Sequence, residues 1–363
     1  MGSAHKICFF ISDISKIGGT ERVCCEIANR LFVAGYRVQV LSMYTARPFF
    51  KLAPGIKLVS VLSKRVSKFF IPFTIWKIRK KLKIINPDII IDVDSALFLY
   101  SKIATIGMPP KIVIWEHFNF KFANQALARK WSRKMALKFG DAIVTLTEQD
   151  RAVWQTYVPN MPVVSIPNPS PIKPVELNED EREQVVLSVG RLTTQKGFDI
   201  LLDVWAKVSQ NKICGWRLYI VGSGTLKNEL ESKIAESKLE NSVKIIPSTS
   251  HIEAYYRRAA IYCMASRFEG FPMVLLEAQS FGLPLLSFNC ETGPSEIITP
   301  GYNGILVENG NINAMAAELM ALIRSAETRK LLGQNALKNA QKYQVDEIIE
   351  HWFNLFSLLK RQS

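Results

Sequence analysis

The chain of 363 residues contains no apolar run near the ~18 residues needed to cross a bilayer. The stretch from Ile84 to Val93 is broken by Asn86-Pro87-Asp88, and that from Phe271 to Phe288 by Glu277 and Gly282-Leu283-Pro284, so no transmembrane helix is expected. No long apolar segment follows Lys6 as in a secretion signal. Lys6 also stands where a myristoylation signal carries Ser or Thr. Histidine is scarce, with four in all, and the six cysteines lack metal-ligand spacing. Cys24 and Cys25 are adjacent, while Cys8, Cys214, Cys263 and Cys290 sit in apolar contexts and read as reduced, buried thiols of a cytoplasmic protein. Asp92-Val93-Asp94 has Asp-x-Asp spacing but falls at a strand end in the first half, so no metal requirement is expected.

Acidic residues are scarce in one half only. Residues 1–170 hold 25 Lys/Arg against 10 Asp/Glu, whereas residues 171–363 hold 21 against 22. The net charge of +14 thus comes from the N-terminal half, and such a one-sided field suits an anionic partner.

Apolar strands alternate with amphipathic helices along the whole chain, which implies parallel sheets with right-handed crossovers. Strands are expected at Lys6 to Ile11, Arg37 to Met43, 89–91, 112–114 and 142–144, with a helix from Thr20 to Ala34. Six prolines between Pro159 and Pro174 interrupt the pattern. It resumes with strands at 185–189, 217–221, 243–246, 261–264 and 284–287. Domains are therefore expected at 1–168 and 169–345, with a last helix over 346–363.

The second half concentrates chemistry at its strand ends. One strand runs into Gly190-Arg191, followed by Lys196-Gly197; another ends in Gly222-Ser223-Gly224, a turn that admits close backbone approach. Glu269 and Glu277 then flank Gly270, Phe271, Pro272, Met273 and Val274. Pro272 fits the first turn of a helix, whose free N–H groups favour phosphate. A phosphate-binding helix start between two hydroxyl acceptors suits a sugar attached to a nucleoside diphosphate. Two glutamates at this spacing are also common as solvated surface charges; the neighbouring strand ends favour a site.

These motifs, with Gly293-Pro294-Ser295-Glu296-Ile297-Ile298, Gly301-Tyr302-Asn303-Gly304 and the early Gly18-Gly19-Thr20-Glu21-Arg22, resemble in combination and order the retaining glycosyltransferases of family 4. The likeness spans residues from about 7 to 345 and implies an α/β protein of GT-B fold, two Rossmann-like domains facing each other across a deep cleft. The nucleotide sugar, commonly a UDP-sugar, would lie on the second domain and the acceptor on the first. No cofactor or metal is implied. Pro247-Ser248-Thr249-Ser250 departs from the family's glycine-containing loop near the base, so base contacts do not carry over.

The resemblance implies roles for individual residues. Arg191 and Lys196 would neutralise the leaving diphosphate, and Gly18 and Gly19 would bring backbone N–H groups to it. Glu269 would accept hydrogen bonds from donor-sugar hydroxyls and Glu277 from the ribose. Paired carboxylates acting as nucleophile and acid are the competing role for Glu269. His117, in Trp115-Glu116-His117-Phe118-Asn119 after a first-domain strand, would hydrogen-bond a sugar hydroxyl near the reacting carbon; a satisfied structural histidine is the alternative. The last helix would cross back to the first domain, or simply cap the second.

The segment 64–83 carries eight cations and no acid. Lys64, Arg65, Lys68, Lys77, Arg79, Lys80 and Lys81 lie beside Phe69, Phe70 and Trp76, which suits an anionic membrane surface as well as a solvated helix face. With the charge asymmetry it points to a peripheral enzyme on the cytoplasmic face of a bacterial inner membrane, acting on a lipid-linked glycan or polysaccharide. The expected transfer is of a hexose or N-acetylhexosamine. Alternatives are a GT-B nucleotide-sugar epimerase or hydrolase, and a basic nucleic-acid-binding protein. No helix-turn-helix, RRM or finger signature supports the latter, so no nucleic-acid partner is expected.

Overall fold

The computed structural model describes residues 5–63, 71–120, 127–177, 182–211 and 213–361. The calls on Lys64, Arg65, Lys68, Phe69 and Phe70 lie outside them.

The chain divides into two units, one of residues 1–169 with 345–363 and one of residues 170–344. In the first, β1 (Lys6–Ile11), α1 (Gly19–Val33), β2 (Arg37–Ser42), β3 (Lys57–Ser60), α2 (Ile71–Ile85) and β4 (Ile89–Val93) are followed by α3 (Phe98–Ala104), β5 (Lys111–Trp115), α4 (Leu127–Phe139), β6 (Ala142–Thr145), α5 (Glu148–Tyr157) and β7 (Val163–Ser165). The seven strands form one parallel sheet in the order β3-β2-β1-β4-β5-β6-β7. The central strands are almost wholly apolar because helices cover both faces. Ile78, Leu82, Phe98, Ala104, Ala136 and Trp154 place α2, α3, α4 and α5 against a common core with Cys8, Phe10, Ile90 and Ile112.

The second unit contains β8 (Val185–Val189), α6 (Phe198–Ser209), β9 (Arg217–Val221), α7 (Lys227–Glu236), β10 (Val243–Ile246), α8 (Ile252–Arg258) and β11 (Ile261–Met264), then α9 (Met273–Ser280), β12 (Leu285–Asn289), α10 (Pro294–Ile297), β13 (Gly304–Glu308), α11 (Ile312–Arg324) and α12 (Ala326–Ala340). Its parallel sheet has the order β10-β9-β8-β11-β12-β13. The order reverses between β8 and β11, the crevice position where open α/β sheets bind ligands. The corresponding position in the first sheet lies between β1 and β4.

The last helix, α13 (Val345–Arg361), belongs to the first unit. It buries Ile348, Ile349, Trp352, Leu355, Phe356 and Leu359, with Trp352 edge-on to Trp115 at 4.9 Å between ring centroids. Phe353 is half-buried and stacks on Tyr36 at 5.7 Å.

Three strands were not anticipated. β3 and β13 are edge strands with mixed burial, which blurs their period, and β7 is a three-residue edge strand between prolines, the sheet position that tolerates them. Cys214 corrects the reading of buried thiols: it is exposed because it sits in the surface turn before β9, whereas the other five cysteines are buried.

Candidate active site

In the second unit the predicted residues converge at the switch point. The chain leaves β8 at Gly190-Arg191 and makes a short 3-10 turn, Thr194–Lys196, before α6. Gly197 closes that turn at φ 62, and a Cβ there would lie 2.0 Å from the Ala265 carbonyl oxygen. Only glycine lets the loop press this closely onto the end of β11. The consequence is an ion pair: Lys196 Nζ lies 2.6 Å from Glu269 Oε1, with both side chains largely buried. Arg191, at the end of β8 in the same loop as Lys196, is exposed, and its guanidinium makes no hydrogen bond or ion pair among the described residues. The site thus holds one neutralised cation and one open cation.

The carboxylate loop is fixed from both sides. Thr292 Oγ1 donates to the Glu269 carbonyl at 2.8 Å, and Gln195 Nε2 donates to the Phe268 carbonyl at 3.1 Å. Arg267 grips Asp199 through two bonds of 2.8 and 2.6 Å and also donates to the Thr194 carbonyl. The bonds to Arg267 hold the Asp199 carboxyl below its ordinary range and raise the guanidinium above its own. This clamp ties the Lys196 turn to the Glu269 loop. Arg267, Asp199, Gln195 and Thr292 were not anticipated; the closeness of Arg267 to Glu269 in the chain was the available signal.

Beyond Gly270 and Phe271, Pro272 is the N-cap of α9, not its first helical residue: its φ of −77 suits a helix, but its ψ of 92 is extended. The helix opens one residue later, and the N–H groups of Met273 and Val274 have no intrahelical acceptor. Glu277 lies within α9, half-buried, and its Oε2 accepts a 2.8 Å bond from Tyr256.

Gly222 and Gly224 require a correction. A Cβ on Gly222 would lie 1.8 Å from the Gly190 carbonyl oxygen, and one on Gly224 2.3 Å from that of Leu192. What approaches these glycines is the Arg191 loop itself, so they position Arg191 by close packing.

The first unit holds His117 just beyond β5 and Gly18-Gly19 at the start of α1, where Gly18 is the N-cap in extended conformation. His117 is almost fully buried, its Nε2 has no partner among the described residues, and burial lowers its pKa to about 3. It is therefore neutral at ordinary pH. Buried polar side-chain atoms in folded proteins are mostly hydrogen-bonded, which sets this ring nitrogen apart. Beside it a buried network joins Glu116 to Arg133 at 2.9 Å and to Ser95 at 2.6 Å, and Asp94 to Arg129 at 2.6 Å. Among the described residues no group of three or more His, Cys, Asp or Glu could hold a metal ion.

Comparison with known proteins identifies the family and the fold. Residues 17–171 match the model for Glycosyltransferase Family 4, and residues 170–339 that for Glycosyl transferases group 1. An uncharacterized glycosyltransferase of Haemophilus influenzae is 36% identical over 349 residues, covering 96% of this chain and 98% of the relative. The chain belongs to glycosyltransferase family 4. A Campylobacter jejuni relative is 27% identical over 98% of this chain and 99% of its own; it is named as an alpha-1,4-N-acetyl-D-galactosaminyltransferase acting on a diNAcBac-PP-undecaprenol glycan. Among solved structures, Anabaena HepE in complex with UDP superposes with a TM-score of 0.80, covering 97% of this chain and 99% of that one at 18% identity. Two separate parallel sheets with helices alternating between their strands are those of the GT-B fold.

Two helices of the first unit carry the basic surface. In α2, Thr74, Ile78, Leu82 and Ile85 face the core while Phe73 and Trp76 are exposed and stacked on each other, with Lys77 over Phe73 and Lys80 3.8 Å from the Trp76 ring. Lys81 is half-buried on the same helix. Arg79 does not belong to this outer surface: it donates to the Ala104 and Ile106 carbonyls at 2.8 and 2.7 Å, closing the end of α3. The sequence reading missed α4, which has five Lys or Arg and no acid, and whose Trp131 is 65% exposed with Lys134 nearby. No helix among the described residues is long and apolar enough to cross a membrane.

Proposed function

We propose that the enzyme transfers a hexose or N-acetylhexosamine from a UDP-sugar to a lipid-linked glycan or polysaccharide with retention of anomeric configuration and without a metal. The observation that carries this reading is the Lys196–Glu269 pair beside the open Arg191 at the switch point of the second sheet. As the bond from anomeric carbon to diphosphate breaks, its electron pair goes to the leaving oxygen. Arg191, Lys196 and the N–H groups opening α9 are placed to stabilise that growing charge. Gly270 and Phe271 lead the backbone into that helix start, and Gly18 and Gly19, opening α1 in the first unit, are suited by their own N–H groups to an anion of the same kind.

Glu269 accepts hydrogen bonds from donor-sugar hydroxyls and Glu277 from those of the ribose, and the neutral His117 is suited to bond a sugar hydroxyl. The acceptor hydroxyl attacks from the face the diphosphate leaves, and a phosphate oxygen takes its proton. The UDP bound by the structural relative and the undecaprenyl-linked glycan in the Campylobacter relative's name support this choice of donor and acceptor.

The outer faces of α2 and α4 support peripheral attachment to an anionic membrane, at the inner face of a bacterial inner membrane. Both helices back onto the same face of the sheet, so their exposed tryptophans and lysines look away from it together. The test of the chemistry is an assay of UDP release and transfer in EDTA, with the product's anomeric linkage read by NMR. A retained linkage formed in EDTA supports the reading; an inverted linkage, or loss of transfer in EDTA, contradicts it.

A further inference from the structure

Helix α8 buries a single side chain, Tyr256, which is fully enclosed. Its ring is stacked on Phe281 at 5.5 Å and tilted 32° to Tyr262 at 5.9 Å, so packing alone would be served as well by phenylalanine. The hydroxyl is what needs an explanation, because a buried phenol costs stability unless it is bonded. It donates to Glu277 Oε2 at 2.8 Å. Burial foremost, and then the nearby carboxylate, raise its pKa well above the ordinary value, so it remains a donor at every pH at which the enzyme works.

We propose that Tyr256 is the positioning residue for ribose recognition: its hydroxyl holds the Glu277 carboxylate in the one orientation that accepts the ribose hydroxyls. The assignment rests on the ribose role of Glu277 given above. A free glutamate side chain surrenders much rotamer freedom on binding. Here that ordering precedes the ligand, because the ring that carries the donor is locked between two aromatics. A carboxylate has about four lone-pair sites, so the bond from Tyr256 does not by itself exhaust its capacity to accept. The packed ring makes the arrangement rigid, and rigidity turns a general acceptor into one that distinguishes ribose from deoxyribose.

The experiment is calorimetric titration of UDP and 2′-deoxy-UDP into the wild type, Tyr256→Phe, Glu277→Gln and the double variant, each checked for wild-type unfolding cooperativity. Tyr256→Phe is expected to weaken UDP binding about tenfold, the worth of one bond to a charged group, and to weaken 2′-deoxy-UDP binding less. The donor KM should rise with kcat at saturating donor nearly unchanged. In the Glu277→Gln background the added Tyr256→Phe change should have little further effect. Equal weakening of both nucleotides, or full discrimination retained in Tyr256→Phe, overturns the proposal while leaving the donor site standing. A wild type that binds UDP and 2′-deoxy-UDP alike removes the ribose role of Glu277 and overturns the proposal with it.

Discussion

Lys196 Nζ and Glu269 Oε1 stand 2.6 Å apart although 73 residues of chain separate them. The pair forms because two loops at adjacent strand ends are pressed together at Gly197 and Ala265 and clamped by Arg267. In the proposed mechanism it poises a cation for the diphosphate and an acceptor for the sugar.

Removing either partner separates catalysis from stability. Lys196→Ala and Glu269→Ala should each lower transfer by about 10²-fold or more. Glu269→Ala should also destabilise the protein, by about 3 kcal/mol, because it leaves a mostly buried ammonium unpaired. The double variant should recover much of that stability and none of the activity. Chemical denaturation with the transfer assay measures both, and a double variant as unstable as Glu269→Ala would contradict the pairing argument.

Gly222→Ala tests the packing of the Arg191 loop. Its Cβ would meet the Gly190 carbonyl oxygen at 1.8 Å, so the two strand ends must separate. The expected cost is about 2 kcal/mol of overpacking, with weaker binding of the nucleotide sugar because Arg191 moves. Urea unfolding and calorimetry check the two effects, and unchanged values in both would show that the loops are not held together here.

Asp92 supplies a pH test. It is fully buried and burial raises its pKa to about 8; Ser101 donates to its Oδ2 at 2.5 Å, and Oδ1 has no partner among the described residues. The folded state therefore binds more protons than the unfolded one between the unfolded carboxyl value near 4 and about 8. Asp92 thus contributes stability that is fully present below that window and is lost as pH rises through it. Asp92→Asn, neutral throughout, should raise Tm relative to wild type at the alkaline end of the window, with the difference shrinking toward acid. A difference independent of pH would show that Asp92 is not protonated in the fold.

Membrane attachment is tested by flotation with vesicles of phosphatidylglycerol and phosphatidylcholine. Wild type should float at low salt, and each of Lys77, Lys80, Lys134 and Lys138 changed to Glu should cost about 1 kcal/mol of binding or more. Trp76→Ala and Trp131→Ala should act in the same direction without altering donor binding. Wild type that stays in the pellet at low salt would refute the attachment.

Much of this arrangement was legible in the chain because it rests on local signals. Alternation of buried strands with helices marked both parallel sheets, and glycine and proline marked the strand ends where Arg191 and Glu269 sit. Strands β3, β7 and β13 escaped because they are edges and partly solvated, so their side chains keep no clean period. The partners of a site residue escaped for a different reason. Asp199 with Arg267, and Tyr256 with Glu277, are set by crossover geometry, and nothing in their local sequence announces the pairing. Gly222 was read as room for a ligand, whereas the room is taken by a second loop of the same protein. Arg79, one cation among many in a basic helix, was distinguishable only once α3 ended beside it.

The most direct measurement is a thermal-shift titration of wild type, Arg191→Ala and Lys196→Ala with UDP-, GDP-, ADP- and CMP-sugars in EDTA. Ligand that binds only the folded state raises Tm by an amount that grows with the logarithm of its excess over Kd. The account predicts a rise for wild type with a UDP-sugar, undiminished by EDTA, and little or none for either variant. A rise equal in all three proteins, or none with any nucleotide sugar, would contradict the placement of the donor at Arg191, Lys196 and Glu269.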